Sequence, residues 1–201
     1  MKPLRLMTAL CGGCVVLLPG SAYAHLVETR CGPFYDGFCH SFVTPTDLLI
    51  VLAISLLAGF AGPAGGRTTL FALTLSWIGG AIIGATCLDR TLPIPVAALA
   101  GTSLAVGLLV ASNWRSPRRV LELLALSIGF GMGLSNGAEF SAVSDGPLAL
   151  VGNGTCLFVV TSWMTALAVK HDTGWQRIVV RVAGSWIAAV SLLMIGWEFR
   201  K

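Results

Sequence analysis

The residues best suited to chemistry are His40, Asp47, Met132, Asn136 and Glu139. An imidazole with carboxylates can bind a divalent transition metal. Met132, Asn136 and Glu139 are spaced i, i+4, i+7, so on a helix they share one face over about 10 Å of rise. Each also has a purely structural reading. Thr44-Pro45-Thr46-Asp47 reads as a helix start, with Thr44 as N-cap, Pro45 at the first helical position and Asp47 facing the helix dipole. His40 alone could be a surface histidine. Glu139 could be a solvated helix end, although a carboxylate at a helix C-terminus opposes the macrodipole. Full burial of Glu139 would be costly unless it were paired.

What must position these residues is a membrane bundle. The chain has 201 residues, 55% hydrophobic and 11% charged. Soluble domains carry about 25% charged residues. The fold expected is all-α, a polytopic bundle of about six transmembrane helices after a cleaved signal peptide. Apolar runs lie at about 44–62, 68–88, 94–112, 120–140, 147–170 and 178–198, each near the roughly 20 residues a helix needs to cross a bilayer. The linkers carry breakers, among them Gly62-Pro63, Ser116-Pro117 and Asp145-Gly146-Pro147.

The start of the chain reads as a secretory signal over 1–24. Lys2 and Arg5 precede an apolar stretch, and Ala22-Tyr23-Ala24 fits the cleavage pattern. A short segment, 25–43, follows on the exported side, and 44–201 forms the six-helix domain. With that start outside, Arg67, Arg115, Arg118, Arg119, Lys170, Arg177 and Arg181 fall inside, against Arg30, Arg90, Arg200 and Lys201 outside. The positive-inside rule supports this orientation. It implies a bacterial inner membrane, a periplasmic mature N-terminus, and His40, Asp47 and Glu139 all on the periplasmic side.

The fourth run carries Gly129, Gly133 and Gly137 at i, i+4, i+8, a doubled GxxxG that lets a neighbouring helix approach closely. The first span is the expected neighbour, which would bring Glu139 towards Asp47. Cys31 and Cys39 could close a short disulfide loop in an oxidising compartment. Cys87 and Cys156 are expected to be buried. Basic patches with interleaved aromatics are missing, which argues against nucleic-acid binding. So are a nucleophile–base pair and a nucleotide loop, so an enzyme is not expected.

Two stretches resemble the HupE/UreJ family, small membrane proteins associated with hydrogenase and urease. The family's first motif, approximately His-Pro-x-x-Gly-x-Asp-His, matches the stretch from Gly37 to Leu49, with His40 offset by one residue and Leu48 in place of the second histidine. The second, approximately His-Gly-x-Ala-His-Gly-x-Glu, matches Met132-Gly133-Leu134-Ser135-Asn136-Gly137-Ala138-Glu139, with Met132 and Asn136 at the histidine positions. The resemblance implies nickel or cobalt handling or transport, with His40, Asp47, Met132, Asn136 and Glu139 at the ligand positions. The loss of imidazoles leaves a second reading open, an accessory subunit that braces or assembles a larger membrane enzyme. Partners then comprise the lipid bilayer, a metal ion and other membrane subunits.

Overall fold

The computed structural model describes residues 29–87, 95–141, 145–171 and 174–200, and among them it contains seven α-helices and no strand. The signal sequence expected over 1–24 lies outside the described residues. The helices are α1 (Pro33–Val43), α2 (Pro45–Phe60), α3 (Gly62–Cys87), α4 (Val96–Ala111), α5 (Arg118–Phe140), α6 (Gly146–Lys170) and α7 (Gly174–Glu198).

Helices α2 to α7 stand where the six apolar runs lie. Four of them, α3, α5, α6 and α7, are long and apolar enough to cross a membrane, at 23 to 26 residues. The α2 and α4 helices have 16 residues each, or about 24 Å of rise, short of the ~30 Å hydrocarbon thickness. Helix α2 passes the same test only together with α1, from which it is bent by 75°. The bend sits at Thr44, held extended at φ −94° and ψ 95°, because a residue before proline is pushed out of the helical region. The short segment ahead of the first apolar run is therefore not a plain tail. Phe34, Phe38 and Phe42 stack along one side of α1.

Helix α2 is the hub. Ile50, Val51 and every residue from Ala53 to Phe60 are buried, as expected of a helix apolar all round and surrounded by others. Around it, α3 pairs with α5, α4 pairs with α7, and both α1 and α2 lie on α6. Large apolar side chains such as Leu75, Ile82, Val151, Trp163, Trp186 and Leu193 point outward, a surface suited to lipid rather than water.

Contacts at the two ends confirm that successive helices alternate in direction. At one end, the Arg177 Nε donates to Asn113 Oδ1 at 2.6 Å, with its guanidinium 5.5 Å from the Phe60 ring centre, and Arg181 Nε donates to the Ala111 carbonyl at 2.9 Å. The last turns of α2 and α4 thus meet the first turns of α7. At the other end, His40 meets Phe140, with ring centres 5.0 Å apart.

The glycine stripe of α5 packs against α3, the second span, not against α2. A Cβ on Gly129, Gly133 or Gly137 would collide with the carbonyl oxygens of Leu73, Trp77 and Ala81 respectively. In the other direction, Gly80 and Gly84 press on the carbonyls of Phe130 and Leu134. The partner is α3 because α3 offers its own small residues, Gly80 and Gly84, in return.

Candidate functional site

The end of the bundle where α1, α2, α5 and α6 converge holds the polar cluster. His40, in the last turn of α1, is 4% exposed. Its Nε2 lies 3.8 Å from Glu139 Oε2 and 3.3 Å from Thr44 Oγ1. The hydroxyl of Thr44 therefore turns back to the imidazole and makes no N-cap bond to α2. Thr44 still stands at the N-cap position, with Pro45 first in the helix and Asp47 in its first turn.

Asp47 is 3% exposed. The Asn136 amide and the Thr46 hydroxyl are the polar side chains that approach its carboxyl, yet its Oδ2 has no hydrogen-bond partner. A carboxylate taken out of water with an oxygen unsatisfied is costly, so the helix-dipole reading alone does not account for it. Asp47 also acts electrostatically on Glu139, whose side chain is 35% exposed. Glutamate 139 thus links the buried carboxyl to the surface.

Four of the five residues singled out from sequence, His40, Asp47, Asn136 and Glu139, meet at this end. Met132 does not join them. It is 2% exposed within the hydrophobic core and borders a cavity of about 220 Å³ with Ile50, Leu99 and Ile128. It shares the helical face of Asn136, but one turn deeper, where its neighbours are apolar.

Sequence reasoning missed Ser41 and Asn153. Ser41 Oγ donates to Asn153 Oδ1 between α1 and α6, fully inside the protein, while Asn153 Nδ2 has no partner. A mid-span asparagine was the available signal, since polar residues within membrane helices mark contacts or pathways. Close packing of α1 on α6 makes this bond possible: Gly37 lies on the Ala149 carbonyl and Gly152 on the Phe34 carbonyl.

The cysteines differ from expectation. Cys31 and Cys39 carry free thiols. With Pro33–Val43 helical, a rise of about 1.5 Å per residue carries Cys39 well beyond the Cα separation a disulfide spans. Cys156 is buried, but Cys87 ends α3 exposed.

Among the described residues, no three His, Cys, Asp or Glu side chains come together closely enough to hold a metal ion. The cluster offers one imidazole, two carboxylates and an amide, arranged in the two contacts His40–Glu139 and Asp47–Asn136. A family model described as HupE / UreJ protein matches residues 14–194. The chain belongs to the HupE/UreJ family. Neither a curated protein nor a solved structure gives a match. Within this HupE/UreJ chain, the two stretches that resemble the family motifs are the ones the fold brings to one end. Its apolar helices and its family make it a multi-pass membrane protein, and the family suggests a nickel- or cobalt-related accessory or transport role.

Proposed function

We propose that this protein handles or transports a divalent transition metal of the nickel type, taking it up at the cluster His40, Asp47, Asn136 and Glu139. The observation that carries this reading is the buried Asp47 carboxyl with an oxygen lacking any partner, beside a half-exposed glutamate and an imidazole. A cation is the natural complement to that charge. The metal here is cargo, and the incomplete ligand set suits it: a site that releases its ion must not enclose it. The protein carries out no covalent chemistry in this reading.

The test is accumulation of nickel, cobalt and copper in cells with and without the protein. Asp47→Asn should lower accumulation by about tenfold or more, the usual cost of losing a group that holds or orients a metal. Glu139→Gln should have a smaller effect, since Glu139 remains partly solvated. Unchanged accumulation of every metal in both variants would sink the reading.

The same proposal places the protein in a bacterial inner membrane with the mature N-terminus in the periplasm. Reporter fusions after Gly65 and Ser116 should then report cytoplasm, and a fusion after Asp145 periplasm. A cytoplasmic signal after Asp145 would reverse the side on which the acidic cluster opens. The lack of a three-ligand metal set among the described residues favours one alternative, a non-transporting assembly subunit. Stoichiometric membrane partners in mild detergent, with no metal accumulation, would establish it.

A further inference from the structure

The flank of the bundle between α3 and α6 carries an apolar groove of about 340 Å³, at the lower end of the ~300–1,000 Å³ usual for small-molecule sites. Pro63, Gly66, Arg67 and Leu70 of α3 form one wall, spaced i, i+3, i+4, i+7 so that they share a helical face. Ala166 and Val169 of α6 lie opposite. The groove stays open because the side chains at the contact are short. Gly66 has none, Ala166 has one carbon, and the Thr165 hydroxyl turns away to the Ser55 carbonyl at 3.2 Å. Gly66 cannot carry more, since a Cβ there would collide with the Thr165 methyl. A second groove, of about 530 Å³, prolongs the same two helical faces, with Thr74, Trp77 and Ile78 on α3 and Gly154 and Phe158 on α6. The lining of this second part includes no charged residue.

The first part is different, because two cations edge it. Lys170 ends α6 and Arg67 stands in the second turn of α3, and both are exposed. They belong to the bundle end where Arg177 meets Asn113, opposite the acidic cluster. Long basic side chains lay their stems along apolar surface and carry the charge out to the interface. Among the described residues neither cation has a carboxylate partner. Other cations at this end are engaged: Arg118 pairs with Glu122 at 2.8 Å, Arg177 donates to Asn113, and Arg181 donates to the Ala111 carbonyl. The α3–α6 seam is thus a long apolar track with unpaired positive charge at one end.

We propose that this seam binds an anionic phospholipid, its phosphate at Arg67 and Lys170 and one acyl chain along the groove towards Trp77. A phospholipid carries both complements in one molecule, a chain for the apolar walls and a negative headgroup for the two cations. Basic pockets between membrane helices are sites of this kind. A second copy of the chain fits less well, since a two-fold interface here would set like charges face to face. The site belongs to the leaflet at the basic end of the bundle, and it stands whether or not the protein carries a metal.

Two measurements test this. In the first, the full chain in mild detergent is titrated with phosphatidylglycerol or with phosphatidylcholine of the same chains, and bound lipid is counted by native mass spectrometry. Phosphatidylglycerol should bind about tenfold tighter or more, the combined effect of two basic side chains at an anionic headgroup. Equal affinity would overturn the site. The double variant Arg67→Gln, Lys170→Gln should bind both lipids alike. Arg119→Gln, which removes an exposed charge outside the groove, should keep the preference. A preference that survives in the double variant, or is lost as fully in Arg119→Gln, would mean general surface charge and no site. Inorganic phosphate at millimolar concentration should not displace the lipid, and displacement would remove the acyl chain's part. The second measurement needs no variant in the groove. Phosphatidylglycerol with a diazirine midway along one chain, reconstituted with the wild type and irradiated, should label peptides within 63–82 and 151–170. Labelling spread evenly over every outward-facing helix would overturn the proposal. So would a disulfide between two Ala166→Cys chains in the membrane, which would make the groove a seam between copies.

Discussion

Replacing Gly133 with leucine should leave almost no monodisperse protein, with Gly80→Leu doing the same from the other helix. Both glycines lie on the α3–α5 seam, where the obstacle to a side chain is backbone: the Trp77 carbonyl above Gly133, the Phe130 carbonyl above Gly80. A flexible side chain could swing aside, but a helical carbonyl cannot move without its helix. Forcing even small extra groups into a packed core costs on the order of 1–3 kcal/mol, and leucine brings four carbons to a point where one does not fit. The loss should exceed that range, since the helices must separate along the seam and forfeit the close packing that drives association in lipid. Gly79→Leu and Gly101→Leu are the controls, because nothing lies within 4 Å of a Cβ at either position. Detergent yield, size-exclusion profile and thermal midpoint check the result. Normal behaviour of Gly133→Leu would mean that α3 and α5 do not pack as described.

The seam shows where sequence was informative and where it stopped. Apolar runs located α2 to α7, because in lipid the length and polarity of a helix are fixed by the bilayer itself. Direction followed from alternation, and it put His40, Asp47 and Glu139 at one end without any knowledge of packing. The i, i+4, i+8 glycines announced a close approach but not its partner. Spacing on one helix says which face is small and nothing about which neighbour answers. The reply was present in Gly80 and Gly84 of α3, a matching pair on an apolar run, and weighing small residues on both helices would have found it. Met132 fails for a related reason. Periodicity placed it on the face of Asn136 and Glu139, but a face has depth, and one turn below Asn136 the surroundings are apolar. Helix α1 was illegible because 11 residues are too few to form a stable helix alone. Its structure depends on docking to α6, which a local reading cannot see.

Because α1 depends on that docking, Gly152→Val should abolish the function of the acidic cluster while leaving the bundle folded. The Cβ of any residue at 152 would fall on the Phe34 carbonyl, and valine adds branches at the same point. Unlike α3 or α5, helix α1 lies outside the central pack and is joined to it through Thr44 alone in sequence. It can tilt away about the existing 75° bend without exposing the core of α2 from Ile50 onward. Lifting α1 removes the Ser41–Asn153 bond and carries His40 from its position 3.8 Å from Glu139. Asp47 and Asn136 belong to α2 and α5 and stay in place. The expected result is metal accumulation reduced as far as in His40→Ala, by about tenfold or more, with wild-type helical content and a monodisperse profile. Limited proteolysis should cut between Tyr35 and Phe38 in Gly152→Val and spare the wild type. Gly37→Val, which meets the Ala149 carbonyl from the opposite side of the same contact, should reproduce all three results. If Gly152→Val instead accumulates metal normally while α1 becomes protease-sensitive, His40 plays no part in uptake and the working site reduces to Asp47, Asn136 and Glu139.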